Sequence, residues 1–182
     1  MLSLRKITKK SADYKSVKRI FLKAFPRCER PPHVFMYLRS KRDGNDYLGI
    51  YDGDSLVGMS YVIYGERTAY IFFLAIDESH RGRGYGTSAL DALVKEYGKG
   101  RKVVLAIEEM DERAENYPDR LRRLRFYEKN GFSMSGYKLR EVNMVYDLLT
   151  LDKSITLDDY AEIPRIFVGR ALSKIFKMEL FK

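Results

Sequence analysis

Tryptophan is absent from this chain, cysteine occurs once and histidine twice, and each scarcity removes a class of chemistry. A single cysteine, Cys28, cannot close an internal disulfide, so the fold must rest on its core and a reducing compartment is the expected setting. With His33 and His80 as the whole histidine complement, and Cys28 set in a loop among Pro26, Pro31 and Pro32, a Cys/His nucleophile has little support. The same shortage of thiols and imidazoles leads to the expectation of no metal centre. No stretch approaches the ~18 apolar residues of a membrane span. The opening Met1-Leu2-Ser3-Leu4-Arg5-Lys6 alternates apolar and charged residues instead of running into the apolar core of a signal peptide. The expectation is a cytoplasmic protein without a membrane span.

What the chain does contain is enough for one domain. Its 182 residues are 45% hydrophobic and 32% charged, with 14 tyrosines and 10 phenylalanines, far from the composition of a disordered chain. The net charge of +9 favours anions: nucleic acid, an acidic membrane surface or a polyphosphorylated small molecule. No helix-turn-helix, zinc-knuckle or RNP-like motif accompanies that charge, so no nucleic-acid partner is expected.

Along the chain, Leu2 to Ile7 alternates as a first strand would, and Ser11 is placed to cap a helix. That helix carries Val17, Ile20, Phe21, Ala24 and Phe25 at helical spacing, and Pro26 stops it. A second short helix is expected over 34–42. Tyr47 to Tyr51 and Leu56 to Gly65 read as a hairpin about Asp52-Gly53-Asp54-Ser55, where Asp-Gly tolerates the positive φ of a tight turn. Tyr70-Ile71-Phe72-Phe73-Leu74-Ala75-Ile76 is apolar without alternation, the pattern of a strand buried on both faces. A glycine-rich loop follows, then a helix with Ala89, Leu90, Leu93, Val94 and Tyr97 on one face, then the apolar strand Val103 to Ile107. Arg120 to Lys129 reads as helix ending at Asn130-Gly131, and Phe132–Leu139 with Val142–Leu149 as a closing antiparallel pair.

The chemistry is concentrated in Arg81-Gly82-Arg83-Gly84-Tyr85-Gly86-Thr87, between a buried strand and a helix. There, unpaired amides and the positive helix end converge on an anion. Glycines let the backbone approach the ligand, and Arg81 and Arg83 add charge. Gly86 is followed by Thr87-Ser88 and no Lys, so a nucleotide P-loop does not fit. A dinucleotide fingerprint would need glycine at 87 or 89, which are Thr and Ala.

At these residues the sequence resembles the GNAT acetyltransferase superfamily, whose acetyl-CoA signature Arg/Gln-x-x-Gly-x-Gly/Ala is matched by Arg81, Gly84 and Gly86. Downstream, Phe126-Tyr127-Glu128-Lys129-Asn130-Gly131-Phe132 is similar to the family's Phe-Tyr-x-x-x-Gly-Phe segment. Phe25-Pro26-x-x-Glu29-Arg30 resembles a loop many members carry. The resemblance covers Leu2 to Leu149 and implies an α+β, three-layer α/β/α fold with a mixed, mostly antiparallel sheet. It further implies that the sheet splays between two central parallel strands, 70–77 and 103–107. Acetyl-CoA, the implied cosubstrate, would enter that opening, its pantetheine pairing with Leu74, Ala75 and Ile76. Its pyrophosphate would rest on the amides of Gly82, Arg83, Gly84, Tyr85, Gly86 and Thr87.

The implied activity is N-acetyltransfer to a primary amine of a small molecule, peptide or protein by direct attack; a non-catalytic acyl-CoA-binding module is the alternative. Tyr127 resembles the family's tyrosine acid, since a phenol near pKa ~10 stays protonated beside a thiol near ~8.5. Members often carry a carboxylate on the central strand, whereas 70–76 holds none. Glu108, ending the other splayed strand, is therefore the first candidate base and Glu29 the second. The family's frequent Asn before the tyrosine is missing as well: Arg120 stands there, after an unusually long Glu109–Asp119 segment. Residues 1–150 are expected to form the acetyltransferase domain. Residues 151–182, with Ile163, Ile166, Phe167, Ala171, Ile175 and Phe176 at helical spacing, are expected as a helical extension. It would pack on the domain, at a homodimer contact, or on a membrane surface.

Overall fold

The computed structural model describes residues 2–27, 30–141, 144–169 and 178–182. The strands are β1 (Ser3–Lys6), β2 (Asn45–Asp52), β3 (Ser55–Tyr64), β4 (Thr68–Ile76), β5 (Lys102–Glu108), β6 (Ser133–Glu141), β7 (Met144–Thr150) and β8 (Met178–Phe181). They make one sheet in the order β1-β2-β3-β4-β5-β7-β6-β8. The central pair β4–β5 is parallel and the other pairings are antiparallel. The helices are α1 (Tyr14–Ala24), α2 (His33–Arg39), α3 (Tyr85–Tyr97), α4 (Tyr117–Lys129), α5 (Leu157–Tyr160) and α6 (Glu162–Val168).

Strand alternation divides the core into two layers. Tyr70 and Val104 join Val17, Ile20 and Phe21 of α1, Met36 of α2, and Ile163 and Phe167 of α6. Their chain neighbours Ile71 and Leu105 join Leu90, Leu93 and Tyr97 of α3, with Leu124 of α4 alongside. The result is the three-layer arrangement that the resemblance implies. Among the described residues no helix is long and apolar enough to cross a membrane.

Local sequence accounts for several boundaries. In α1, Val17, Ile20 and Phe21 are buried at helical spacing. Phe25 turns extended, at φ −122° and ψ 127°, because the ring of Pro26 disfavours helical backbone before it. The cap differs from the sequence reading: Asp13 occupies the N-cap, and the Ser11 hydroxyl instead accepts from the Thr8 amide at 2.9 Å. At the β2–β3 turn Gly53 adopts φ +58°, as the Asp-Gly pair requires.

One irregularity shapes the centre of the sheet. Tyr61 pairs with Phe73 and Val62 with Ile71, so Phe72 is the extra residue of a β-bulge. Phe72 and Phe73 consequently both pack in the α1 layer. The β4–β5 ladder runs from Thr68↔Lys102 to Ile71↔Leu105 and stops at that bulge. β4 continues to Ile76 and β5 to Glu108 without pairing, which opens the sheet into a wedge.

After β7 the chain crosses back over the α1 layer. Thr156 and Asp159 form a reciprocal capping box at the start of α5. Glu162 accepts from the amides of Glu66, Arg67 and Thr68 at 3.1, 2.9 and 3.0 Å, tying α6 to the β3–β4 turn. Met178–Phe181 then adds a strand to β6 where the sequence reading has only helical spacing. Ala171, Ile175 and Phe176 lie outside the described residues, as do Cys28 and Glu29.

Candidate active site

The wedge between β4 and β5 holds a cavity of about 460 Å³. Its walls include Leu74, Ala75 and Ile76 of β4, Glu108 of β5, Arg81, and Tyr127 of α4, so these residues from distant parts of the sequence share one space. On the opposite edge, β4 pairs Ser60↔Leu74, Met59↔Ala75 and Gly58↔Ile76 with β3. The β5-facing edge of this segment has lost its neighbour and offers backbone groups to whatever fills the wedge.

Below the wedge, Asp77 accepts from Ser79 N at 3.1 Å and from Ser79 Oγ at 2.9 Å, and meets Arg19 at 3.1 Å. These contacts fix a 3₁₀ turn, Glu78–His80, that swings the chain into the glycine loop. Gly82 and Gly84 have φ +77° and +79°, values that side-chain-bearing residues rarely take. A Cβ at either would meet nothing within 4 Å, so both border open space. Gly84 is the N-cap of α3. Among the described residues the amides from Gly82 to Thr87 donate to no protein acceptor, and Ser88 N is the first to bond, to Gly84 O at 3.2 Å. Unpaired amides at the positive end of a 13-residue helix form an anion cradle. Gly86 serves packing instead, since a Cβ there would lie 3.1 Å from the Phe126 ring.

The two loop arginines diverge. Arg81 turns to the wedge, with Nε donating to Ile76 O at 3.3 Å. Arg83 and Tyr85 line a separate groove between β1 and α3, and the Tyr85 hydroxyl donates to Asp52 at 2.8 Å.

Tyr127 is held edge-on between Phe126 and Phe132, at 5.1 and 6.2 Å between ring centres. Its hydroxyl has no protein hydrogen-bond partner among the described residues. Desolvation raises its pKa to about 12, the Arg123 charge opposing, so the phenol is a proton donor at every ordinary pH. Glu108 is in a different condition. Asn116 Nδ2 donates to it at 2.9 Å, Arg120 Nε lies at 3.9 Å and Arg123 forms a close ion pair with it. A carboxylate so engaged loses those interactions when it takes a proton.

A second carboxylate is not evident from the sequence, where strands expected over Phe132–Leu139 and Val142–Leu149 leave Arg140 and Glu141 between them. β6 in fact runs through Glu141, and Glu141 lines the same cavity together with Tyr70, Phe72 and Tyr146. Its Oε1 accepts from the Tyr70 hydroxyl at 3.1 Å. Desolvation raises its pKa to about 7, the Tyr70 bond pulling the other way.

Residues 14–132 match the family model described as the acetyltransferase (GNAT) family, and the chain belongs to that family. Comparison with curated protein sequences gave no significant match. Among solved structures, a GNAT-family protein from Bacteroides thetaiotaomicron aligns with TM-score 0.71 at 21% identity, covering 95% of this chain and 97% of its own. An aminoglycoside 6′-N-acetyltransferase in complex with coenzyme A aligns with TM-score 0.60 at 17% identity, over 85% and 99% of the two chains. Arabidopsis thaliana Naa50, bound to the bisubstrate analogue CoA-Ac-MVNAL, gives 0.59 at 20% identity, over 81% and 97%. At such identities the likeness establishes the fold, and that fold is the GNAT one.

Proposed function

We propose that this chain transfers an acetyl group from acetyl-CoA to a primary amine by direct attack, in a cytoplasmic setting and without a metal. The observation that carries this reading is the wedge: an unpaired β4 edge and the Tyr127 side chain share one space, and Arg81, the first residue of the glycine loop, borders it. Leu74, Ala75 and Ile76 would bind the pantetheine amides, and the amides of Gly82 to Thr87 the pyrophosphate, with Arg81 adding charge. Tyr127 would donate its proton to the departing thiolate. Two structural relatives carry CoA or a CoA conjugate, which supports CoA as the ligand of this fold.

Glu108, the base expected from sequence, has contacts that favour a holding role. Its ion pairs fix Arg123, and the Asn116 bond anchors the start of α4, the helix that carries Tyr127. That commitment, together with the absence of a carboxylate from 70–76, favours the alternative of a non-catalytic acyl-CoA-binding module. We take residues 1–150 as the catalytic domain and 151–182 as an extension docked on it.

Both readings require the ligand. Acetyl-CoA or CoA at a hundredfold excess over its dissociation constant should stabilise the fold by ~2.7 kcal/mol, raising the melting temperature by roughly 5 to 10 °C. Calorimetry that finds no binding and no shift with either compound would remove the wedge as a CoA site.

A further inference from the structure

Across the cavity from Tyr127, the wall is built from aromatic rings and one carboxylate. Phe25, Tyr70, Phe72 and Tyr146 line it, and Glu141 is set among them. Glu108, the other carboxylate among the described residues of the lining, is consumed by its ion pairs. Glu141 has no ion pair among the described residues and accepts its hydrogen bond from Tyr70. A carboxylate in an aromatic wall is a site for a single cation, which gains from the charge and from the ring faces together.

Its position depends on chain outside the family match. Glu141 lies beyond residue 132, and its backbone pairs with Met178 of β8. Tyr160 of α5 packs edge-on against Tyr70, 5.8 Å between centres. The floor under Tyr70 and the edge beyond Glu141 thus both come from the C-terminal extension.

Resting on the acetyltransferase reading above, we propose that Glu141 receives the acceptor's ammonium group and takes its proton. The acceptor is a monocationic primary amine on a short apolar stem. The charge and the walls select this class. Among the described residues of the lining, Glu141 is the one carboxylate without an ion pair, which matches one ammonium, and a chain of net charge +9 repels a polycation. The aromatic walls desolvate an apolar stem and offer little to a hydroxyl-rich one.

In the reaction, one N–H proton of R-NH₃⁺ passes to the Glu141 carboxylate. The freed nitrogen pair forms the C–N bond at the thioester carbonyl, and the C–S bond breaks as the carbonyl re-forms. The sulfur receives the Tyr127 proton, the amide nitrogen loses its second proton to restore Tyr127, and Glu141 returns its own to solvent. The net change is R-NH₃⁺ plus acetyl-CoA to R-NHAc, CoA-SH and one proton.

The groups facing Glu141 are Tyr70 of β4, Tyr146 of β7 and Tyr160 of α5, with the Glu108–Arg123 pair across the cavity. With a value about 7 against the ordinary 4.5, Glu141 is ionised, and able to accept, above neutrality. kcat/KM should therefore rise with pH through a limb near 7. The fold binds this proton more tightly than the unfolded chain, so Glu141 costs stability progressively as pH rises from 4.5 to 7.

The test uses the full chain with acetyl-CoA and 2-phenylethylamine, with spermine and kanamycin as polycationic controls. Glu141→Gln should lower kcat/KM for phenylethylamine by ~10² to 10⁴-fold, erase the limb near 7 and leave the acetyl-CoA dissociation constant unchanged. Tyr70→Phe removes the bond that favours the ionised form and should move the limb to higher pH, a shift that loss of packing would not produce. Independently of activity, Glu141→Gln should melt above the parent at pH 8, and the gap should close near pH 4.5. Persistence of the limb in Glu141→Gln, or a melting difference that ignores pH, would overturn the assignment. Faster turnover of spermine or kanamycin than of phenylethylamine would overturn the acceptor class. Failure to bind acetyl-CoA or acetylate any amine would sink the underlying function instead, with the melting arm still deciding the titration.

Discussion

Tyr127→Phe is expected to slow acetyl transfer by ~10² to 10⁴-fold while acetyl-CoA affinity changes little. The substitution keeps the ring between Phe126 and Phe132 and removes only the hydroxyl, which has no protein partner among the described residues. The phenol titrates at about 12 and so keeps its proton at neutral pH; because a thiol near ~8.5 is the stronger acid, the hydroxyl acts by hydrogen-bonding the developing thiolate, and its proton moves to sulfur only as the amide nitrogen's proton replaces it. Without the hydroxyl the thiolate must leave as an anion in a desolvated wedge, where charge is costly. Single-turnover transfer is the appropriate measurement, because slow CoA release can hide a chemical step in the steady state. Parent-like single-turnover rates in the variant would reduce Tyr127 to a wall of the cavity.

Gly84→Val should weaken acetyl-CoA binding by ~10²-fold or more with a modest loss of stability. At φ +79° a β-branched residue is strained by ~1 to 2 kcal/mol, and the N-cap must rotate to relieve it. That rotation would take the loop amides off the position proposed for the pyrophosphate. The added side chain meets no protein atom within 4 Å, so the core is untouched and the obstruction falls on the ligand's side. Gly84→Ala should show the same change in milder form. An unchanged dissociation constant in a folded Val variant would detach this loop from CoA.

Much of the catalytic half was legible in the sequence because it is written locally. The unalternating run at 70–76, the glycines at 82, 84 and 86 and the apolar face of α3 each carry their structural reason within a few residues. Pro26 likewise marks the end of α1. The bulge at Phe72 was not legible: Phe72-Phe73 reads as two more buried residues, and only the register against β3 makes one of them extra. Glu108 had the right place and unread company, since Asn116, Arg120 and Arg123 reach it through an α4 that begins at Tyr117, earlier than the expected 120.

Glu141 was hidden for a similar reason. Leu139 and Val142 suggested a turn between them, and the extension of β6 through Glu141 is set by pairing with β7 and β8, far away in sequence. β8 itself, Met178–Phe181, follows a stretch whose apolar spacing fits a helix. A carboxylate's basicity is fixed by what surrounds it in space, and Tyr70, 71 residues away, is invisible to a local reading.

The most direct test of the central claim is acetyl transfer itself. The full chain is incubated with acetyl-CoA and a panel of primary amines, following thiol release and the mass of each amine. The account predicts one thiol released for every amine that gains an acetyl group, dependent on enzyme and lost in Tyr127→Phe. Bound acetyl-CoA with no acetylated amine across the panel, or thiol release without an acetylated product, would contradict it.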